Sequence, residues 1–123
     1  MAHPKLNLDT NIVLSLVWNR LRPRERKLLD ESRCGISSIV LWELRKLYRL
    51  KRLEFNVDGE REREALERLD VWPVTAEICH LTQRLDFQSD PADELIAATS
   101  LAHGVPLLTR DDKILASKVV PLA

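Results

Sequence analysis

The sequence predicts an α/β fold: a short central parallel β-sheet of about five strands with helices on both faces. Two observations carry this prediction. Short apolar runs alternate along the chain with longer segments of helical periodicity, the pattern of strands joined by crossover helices. Prolines, glycines or small polar residues stand at most of the boundaries between them, where helices and strands stop.

Taken in order, residues 5–9 read as a strand with Leu6 and Leu8 in alternation, and residues 10–19 as a mostly apolar helix buried on most sides. "RLRPRERKLLDE" places Pro23 near a helix start and Leu28–Leu29 on its inner face. "CGISS" is a short strand whose terminal serines cap the next helix, roughly 38–52, which carries Val40, Leu44, Leu47 and Tyr48 at helical spacing. A polar segment with Gly59 precedes a charged helix from about 60 to 69. "DVWPVT" reads as a strand, and Thr75 as the N-cap of a helix bearing Ile78, Leu81, Thr82 and Leu85. "QSDP" breaks the chain before the helix "DELIAATSLAH", which Gly104 ends. "VPLLT" is a strand, "RDDKILAS" a helical turn, and "KVVPL" a last short strand.

A chain of 123 residues suits one domain, taken as 1–123, with one core. Its 19 basic and 19 acidic residues cancel, so attraction to nucleic acid must come from local patches rather than from the whole molecule. Cys34 and Cys79 match no metal spacing and read as reduced thiols of a cytoplasmic protein. The N-terminus shows no signal pattern, and no apolar run approaches the ~18 residues that span a bilayer, so no membrane association is expected.

Acids mark the ends of these elements. Asp9 ends the first strand, Asp93 opens the helix "DELIAATSLAH", and Asp111 follows the strand "VPLLT" after one residue. In a parallel sheet, Asp9 and Asp111 share a rim, and ligands bind at the carboxyl ends of such strands. Glu43 lies mid-helix in "SSIVLWELRKLY". Each aspartate taken singly is a good N-cap, contributing ~1 kcal/mol, and Glu43 alone reads as a solvent-facing or ion-paired side chain. As a set, four carboxylates on one rim repel, and a divalent ion of the Mg²⁺ or Mn²⁺ type is the ordinary remedy.

"LDTNIVL", "SSIVLWEL" and "DPADELIAATSLAHGVPLLTRD" resemble the PIN domain, and specifically the VapC-type toxins of toxin–antitoxin pairs, over residues 6–120. The resemblance implies a PIN-like fold and a metal-dependent endoribonuclease that leaves 5′-phosphate and 3′-hydroxyl ends. It carries the family's acids onto Asp9, Glu43, Asp93 and Asp111, as catalytic residues and as ligands of one or two Mg²⁺ or Mn²⁺ ions. Asp93 is preferred to Asp90 because the family's acid directly precedes its helix. Asp111 is preferred to Asp112 by its distance from Thr109. Thr10, Asn11 and Thr109 are implied to support the acids or touch phosphate, with helix capping as the equal alternative. The same resemblance implies a cognate antitoxin and self-association as a homodimer or higher assembly.

RNA binding needs positive charge near the acids. Residues 20–27 hold five basic residues against one acid, and residues 45–52 hold five basic residues in eight. Arg45, Lys46 and Arg49, which follow Glu43 directly, are therefore expected to touch RNA. Trp18, Trp42 and Trp72 sit in apolar contexts and are expected in the core or an oligomer contact. Other acid-pocket folds fit less well. A phosphoacceptor receiver needs an acid ending a middle strand, where "VWPVT" has none, and a two-aspartate phosphatase needs an acid at Asn11. The alternative is a non-catalytic PIN-like module that binds RNA or a protein.

Overall fold

The computed structural model describes residues 3–52, 54, 56 and 58–123. Their element order is β1 (Leu6–Leu8), α1 (Thr10–Val17), α2 (Pro23–Glu31), β2 (Cys34–Ser37), α3 (Ser38–Arg49), α4 (Glu60–Glu67), β3 (Asp70–Trp72), α5 (Ala76–Leu81), a 3₁₀ turn (Thr82–Arg84), α6 (Pro91–His103), β4 (Leu107–Leu108) and α7 (Asp112–Leu115). The strands form one parallel sheet in the order β3-β2-β1-β4. The polar segment before Gly59 includes Leu53, Phe55 and Val57, which lie outside the described residues.

Every residue of β1 and β2 is buried, so both faces of the sheet's centre are covered. On one face lies α6. The Asn7 amide donates to the Ile96 carbonyl at 3.1 Å and to Ser100 Oγ at 2.9 Å, tying β1 to the middle of that helix. Asn7 is in register with Gly35, where a Cβ would stand 2.7 Å from the Trp72 ring. Trp72 therefore lies flat over β2, and its ring stacks on His103 with centroids 5.0 Å apart. Helix α6 buries Ala92 and the continuous run Ile96–Ser100, whose small side chains let neighbouring elements approach closely. α1 and α3 add Ile12, Val13, Val40 and Leu44 to the same core, all fully buried. Burying each such side chain contributes about 1.5–3 kcal/mol.

Three expectations need correction. The sheet has four strands among the described residues, because "KVVPL" contributes only a single bridge, Leu107 to Leu122. Ser117 Oγ accepts from the amides of Val119 and Val120, turning the chain, and Pro121 has no N–H to donate to a ladder. Helix α6 starts at Pro91 rather than at Asp93, since proline suits the first helical position as well as it breaks an interior. Helix α3 stops at Arg49, where Lys51 adopts a left-handed φ of 58° and its amide returns to the Tyr48 carbonyl. Trp42 is 53% exposed, outside the core, with Lys46 Nζ 4.8 Å from its ring centroid.

Candidate active site

The sheet register brings the carboxyl ends of β1, β2 and β4 to one rim. Leu8 pairs with Leu108, so the next residues, Asp9 and Thr109, stand side by side there. The Asp9 amide donates to the Leu108 carbonyl at 3.0 Å, and Asp9 is 3% exposed. Its side chain both caps and converges. One oxygen accepts from the Thr10 amide at 2.8 Å at the start of α1, and the other accepts from Thr109 Oγ1 at 2.6 Å across the sheet. Burial pushes the Asp9 carboxyl above its ordinary value, those two hydrogen bonds oppose the rise, and the charges of Asp93 and Asp111 add to it.

Glu43 is mid-helix in α3, where no cap explains it. Its Oε1 accepts from Thr10 Oγ1, so the residue after Asp9 fixes the glutamate as well. Burial raises the Glu43 carboxyl, the Thr10 bond lowers it, and Asp93, Asp9 and Asp90 raise it further. Asp93 stands in the first turn of α6, with Oδ2 accepting from Ser89 Oγ at 2.8 Å. Burial raises it, Ser89 opposes, Asp111 and Asp90 add to the rise, and Lys113 lowers it. Asp111 caps α7, its Oδ1 accepting from the Lys113 amide at 2.9 Å. The Asp111 amide in turn donates to Thr109 Oγ1 at 3.0 Å, so one threonine links two of the acids.

The fold therefore brings Asp9, Glu43, Asp93 and Asp111, up to 102 residues apart in the chain, near enough that Asp93 and Asp111 act on Asp9, Asp93 and Asp9 act on Glu43, and Asp111 acts on Asp93. Asp90, exposed at the start of α6, adds its charge to Glu43 and Asp93. Asp112 is exposed in the first turn of α7 and is not among the charges acting on Asp9, Glu43 or Asp93. Thr10 and Thr109 hold acids, as described. Asn11 makes no side-chain bond to them. Its Oδ1 is buried without a hydrogen-bond partner among the described residues.

The donor set suits a hard divalent cation: it is all oxygen, partly buried and mutually repelling. The second oxygens of Glu43, Asp93 and Asp111 accept no hydrogen bond from a described residue. As the side chains lie, however, no group of three or more His, Cys, Asp or Glu among the described residues is placed to hold a metal ion. Asp9, Asp93 and Asp111 each accept a hydrogen bond from a donor close in the chain: the Thr10 amide, Ser89 Oγ and the Lys113 amide.

Of the basic residues expected to meet RNA, Arg45 is paired with Asp58 at 3.0 Å, Lys46 lies over Trp42, and Arg49 is exposed in the last turn of α3. Beside Glu43 a largely apolar cavity of about 280 Å³ is lined by Trp42, Leu47, Leu50, Pro91 and Ala92 among others. Sequence reasoning missed three supports of the rim. Ser89 holds Asp93, and Lys113 reaches the Gln88 carbonyl at 3.0 Å. Glu25, 4% exposed, receives Arg110 through two bonds of 2.6 and 2.9 Å. Glu25 carried a usable signal, two residues after Pro23 in the position that reaches back to cap its own helix. Its partner 85 residues away carried none.

Among the described residues, no helix is long and apolar enough to cross a membrane. A comparison with curated proteins found no match. Solved structures of similar fold include a VapBC2 complex of Rickettsia felis bound to a promoter DNA fragment, with 22% identity, 96% of each chain covered and a TM-score of 0.71. A DNA-bound VapBC of Salmonella typhimurium matches with 23% identity over 98% of each chain and a TM-score of 0.69. FitAcB of Neisseria gonorrhoeae matches with 22% identity over 96% of each chain and a TM-score of 0.64. The family model of the PIN domain matches residues 7–119. With nearly the whole chain matched and the fold shared, the chain belongs to the PIN-domain family.

Proposed function

We propose that the chain is a metal-dependent endoribonuclease and the toxin of a toxin–antitoxin pair. The observation that carries this is the convergence of four carboxylates from four separate elements on the carboxyl rim of a PIN-domain sheet. Mg²⁺ or Mn²⁺ bound there, as one or two ions, supplies a more acidic water and neutralises charge at the scissile phosphate. The chain's own contribution is orientation. Asp9 is held at both oxygens, by the Thr10 amide and by Thr109, and so is the fixed member of the set. Thr10 fixes Glu43, and Ser89 fixes Asp93, while the second oxygen of each of those acids accepts no hydrogen bond from a described residue. Buried donors of this kind preset the geometry before substrate arrives.

The toxin assignment is supported by the company the fold keeps, since the structures named above are VapBC and FitAcB complexes. The cavity beside Glu43 suits a partner that lays an apolar segment against Trp42, Leu47 and Leu50 and extends a basic side chain toward the acids. A cytoplasmic location and self-association belong to the same reading. That no group of three or more His, Cys, Asp or Glu among the described residues is placed to hold a metal ion is the one observation that favours a non-catalytic RNA- or protein-binding module instead.

A cleavage assay separates the two. Labelled tRNA, rRNA and mRNA fragments are incubated with the purified chain and Mg²⁺, Mn²⁺ or EDTA. Ion-dependent cutting is expected, abolished in Asp9→Asn and in Asp93→Asn while circular dichroism stays native. Cutting that survives EDTA, or variants that cut like the parent, would overturn the assignment.

A further inference from the structure

The two basic clusters of the sequence meet in space. Arg20, just beyond the end of α1, and Arg52, just beyond α3, line one cavity of about 430 Å³ together with Arg61 of α4, Trp18 and Glu54. Three guanidinium groups thus face a single carboxylate. Three other arginines have ion pairs among the described residues: Arg33 with Asp70, Arg45 with Asp58 and Arg110 with Glu25. Arg20, Arg52 and Arg61 form no ion pair among the described residues. Like charges brought together from three elements repel, and nothing in the core requires their meeting, since all three are exposed. Arg20 is braced, its guanidinium carbon 5.5 Å from the Trp18 ring centroid, which limits the freedom of its planar fork. Such forks match phosphate oxygens in pairs.

Arg52 also lines the cavity that contains Glu43, Trp42 and Asp90, so the arginine cavity and the acid rim share a wall. α1 runs between the two ends. Its eight residues span about 12 Å from Thr10 beside the acids to the Trp18 end. That is the reach of a few nucleotides of single strand.

We propose that the Arg20–Arg52–Arg61 cavity is a phosphate-binding subsite for single-stranded RNA, holding backbone phosphates a few nucleotides from the bond at the acid rim. The inference rests on the ribonuclease reading for its choice of RNA over an acidic protein segment, because the cavity opens onto the groove beside Glu43. It adds to Arg45, the expected contact, which pairs with Asp58 at the surface.

The test measures binding apart from cleavage. Fluorescence anisotropy of a labelled single-stranded RNA is followed in EDTA, from about 50 to 200 mM KCl, with the full chain. The variant Arg20→Ala/Arg52→Ala/Arg61→Ala should bind at least tenfold more weakly at the lower salt. The slope of log affinity against log salt should fall by about 2, the value for three lost single-strand phosphate contacts. A charge-matched control, Arg68→Ala/Arg84→Ala/Lys118→Ala, should stay within twofold of the parent. With Mg²⁺ or Mn²⁺ present, the cavity variant should show a raised KM and a near-parental kcat. Three results would overturn the proposal: unchanged affinity and slope, an equal loss in the control, or displacement of RNA by poly-glutamate as effective as by unlabelled RNA. If the parent binds RNA but cuts none, the nuclease reading fails while the binding arm still decides this one.

Discussion

Thr109 carries more of the site than its size suggests. Its hydroxyl donates to Asp9 and accepts from the Asp111 amide, so one oxygen sets the spacing of two acids. Both Thr109 and Asp9 are nearly inaccessible, at 6% and 3% exposure. Removing the hydroxyl while keeping the shape takes one of two donors from the buried Asp9 carboxylate and leaves the partly buried Asp111 amide without its acceptor. We expect Thr109→Val to cost about 1.5–3 kcal/mol in denaturant unfolding, the range for hydrogen bonds to charged groups. Thr109→Ser should recover most of it. Equal stabilities of the valine variant and the parent would mean that this bond holds nothing in place. The sequence placed Thr10 and Thr109 beside the acids from the family pattern alone, with capping equally open. In the fold both alternatives hold for Asp9, which caps α1 and faces the cluster at once. For Thr10 the contact is to Glu43, 33 residues on, which no local rule anticipates.

At the scale of elements, the rim is braced by α2. Glu25 accepts the Arg22 amide at 2.8 Å at its own helix start and holds Arg110 in a two-point ion pair. Arg110 sits between Thr109 and Asp111, so the pair fixes the segment that leaves β4. The Arg110 guanidinium, through its hydrogen bonds, holds the Glu25 carboxyl below its ordinary 4.5, with burial opposing. A depressed carboxyl contributes stability above its unfolded value, and that contribution is lost as pH falls through the folded value. Glu25→Gln should therefore cost about 1–2 kcal/mol at pH 7, and the difference from the parent should close as pH falls below the 4.5 reference. Thermal melts of the two proteins across that window check it, and a gap that persists at the acid end would refute the linkage. Elements were the most legible level of this chain. The alternation of short apolar runs with helical periods identified every strand and helix in order. Boundaries failed where one residue type has two uses. Pro91 reads as a breaker but starts α6, which puts Asp93 within the first turn rather than at the helix start. Pro121 lies in an apolar run that looks like a strand, yet its missing N–H leaves a single bridge. Trp42 looks like core by type, and only the helix face it occupies exposes it.

Across the whole molecule, the acid rim is a standing cost that the rest of the fold tolerates. Asp9, Glu43 and Asp93 are all raised, first by burial and further by neighbouring carboxylates. A carboxyl raised in the folded state favours folding fully only below its unfolded value, near 3.8 for Asp and 4.5 for Glu. That advantage disappears as pH rises through the folded value, so at neutral pH the ionised cluster destabilises the ion-free protein. A divalent ion that binds the folded rim and not the unfolded chain reverses this. At a free concentration one hundred times its Kd it stabilises by about 2.7 kcal/mol. Titrating Mn²⁺ into the parent at pH 7 should thus raise the unfolding midpoint steadily, and EDTA should return it. In Asp93→Asn, which keeps an acceptor for Ser89 but gives up a charge, the ion-free midpoint should equal or exceed the parent's, and the response to Mn²⁺ should largely vanish. The four carboxylates come from the ends of β1 and β4, the middle of α3 and the first turn of α6, so no fragment of the chain brings them together. A parent whose midpoint ignores Mn²⁺, or an Asp93→Asn variant that responds as strongly, would show that these acids meet without forming an ion site.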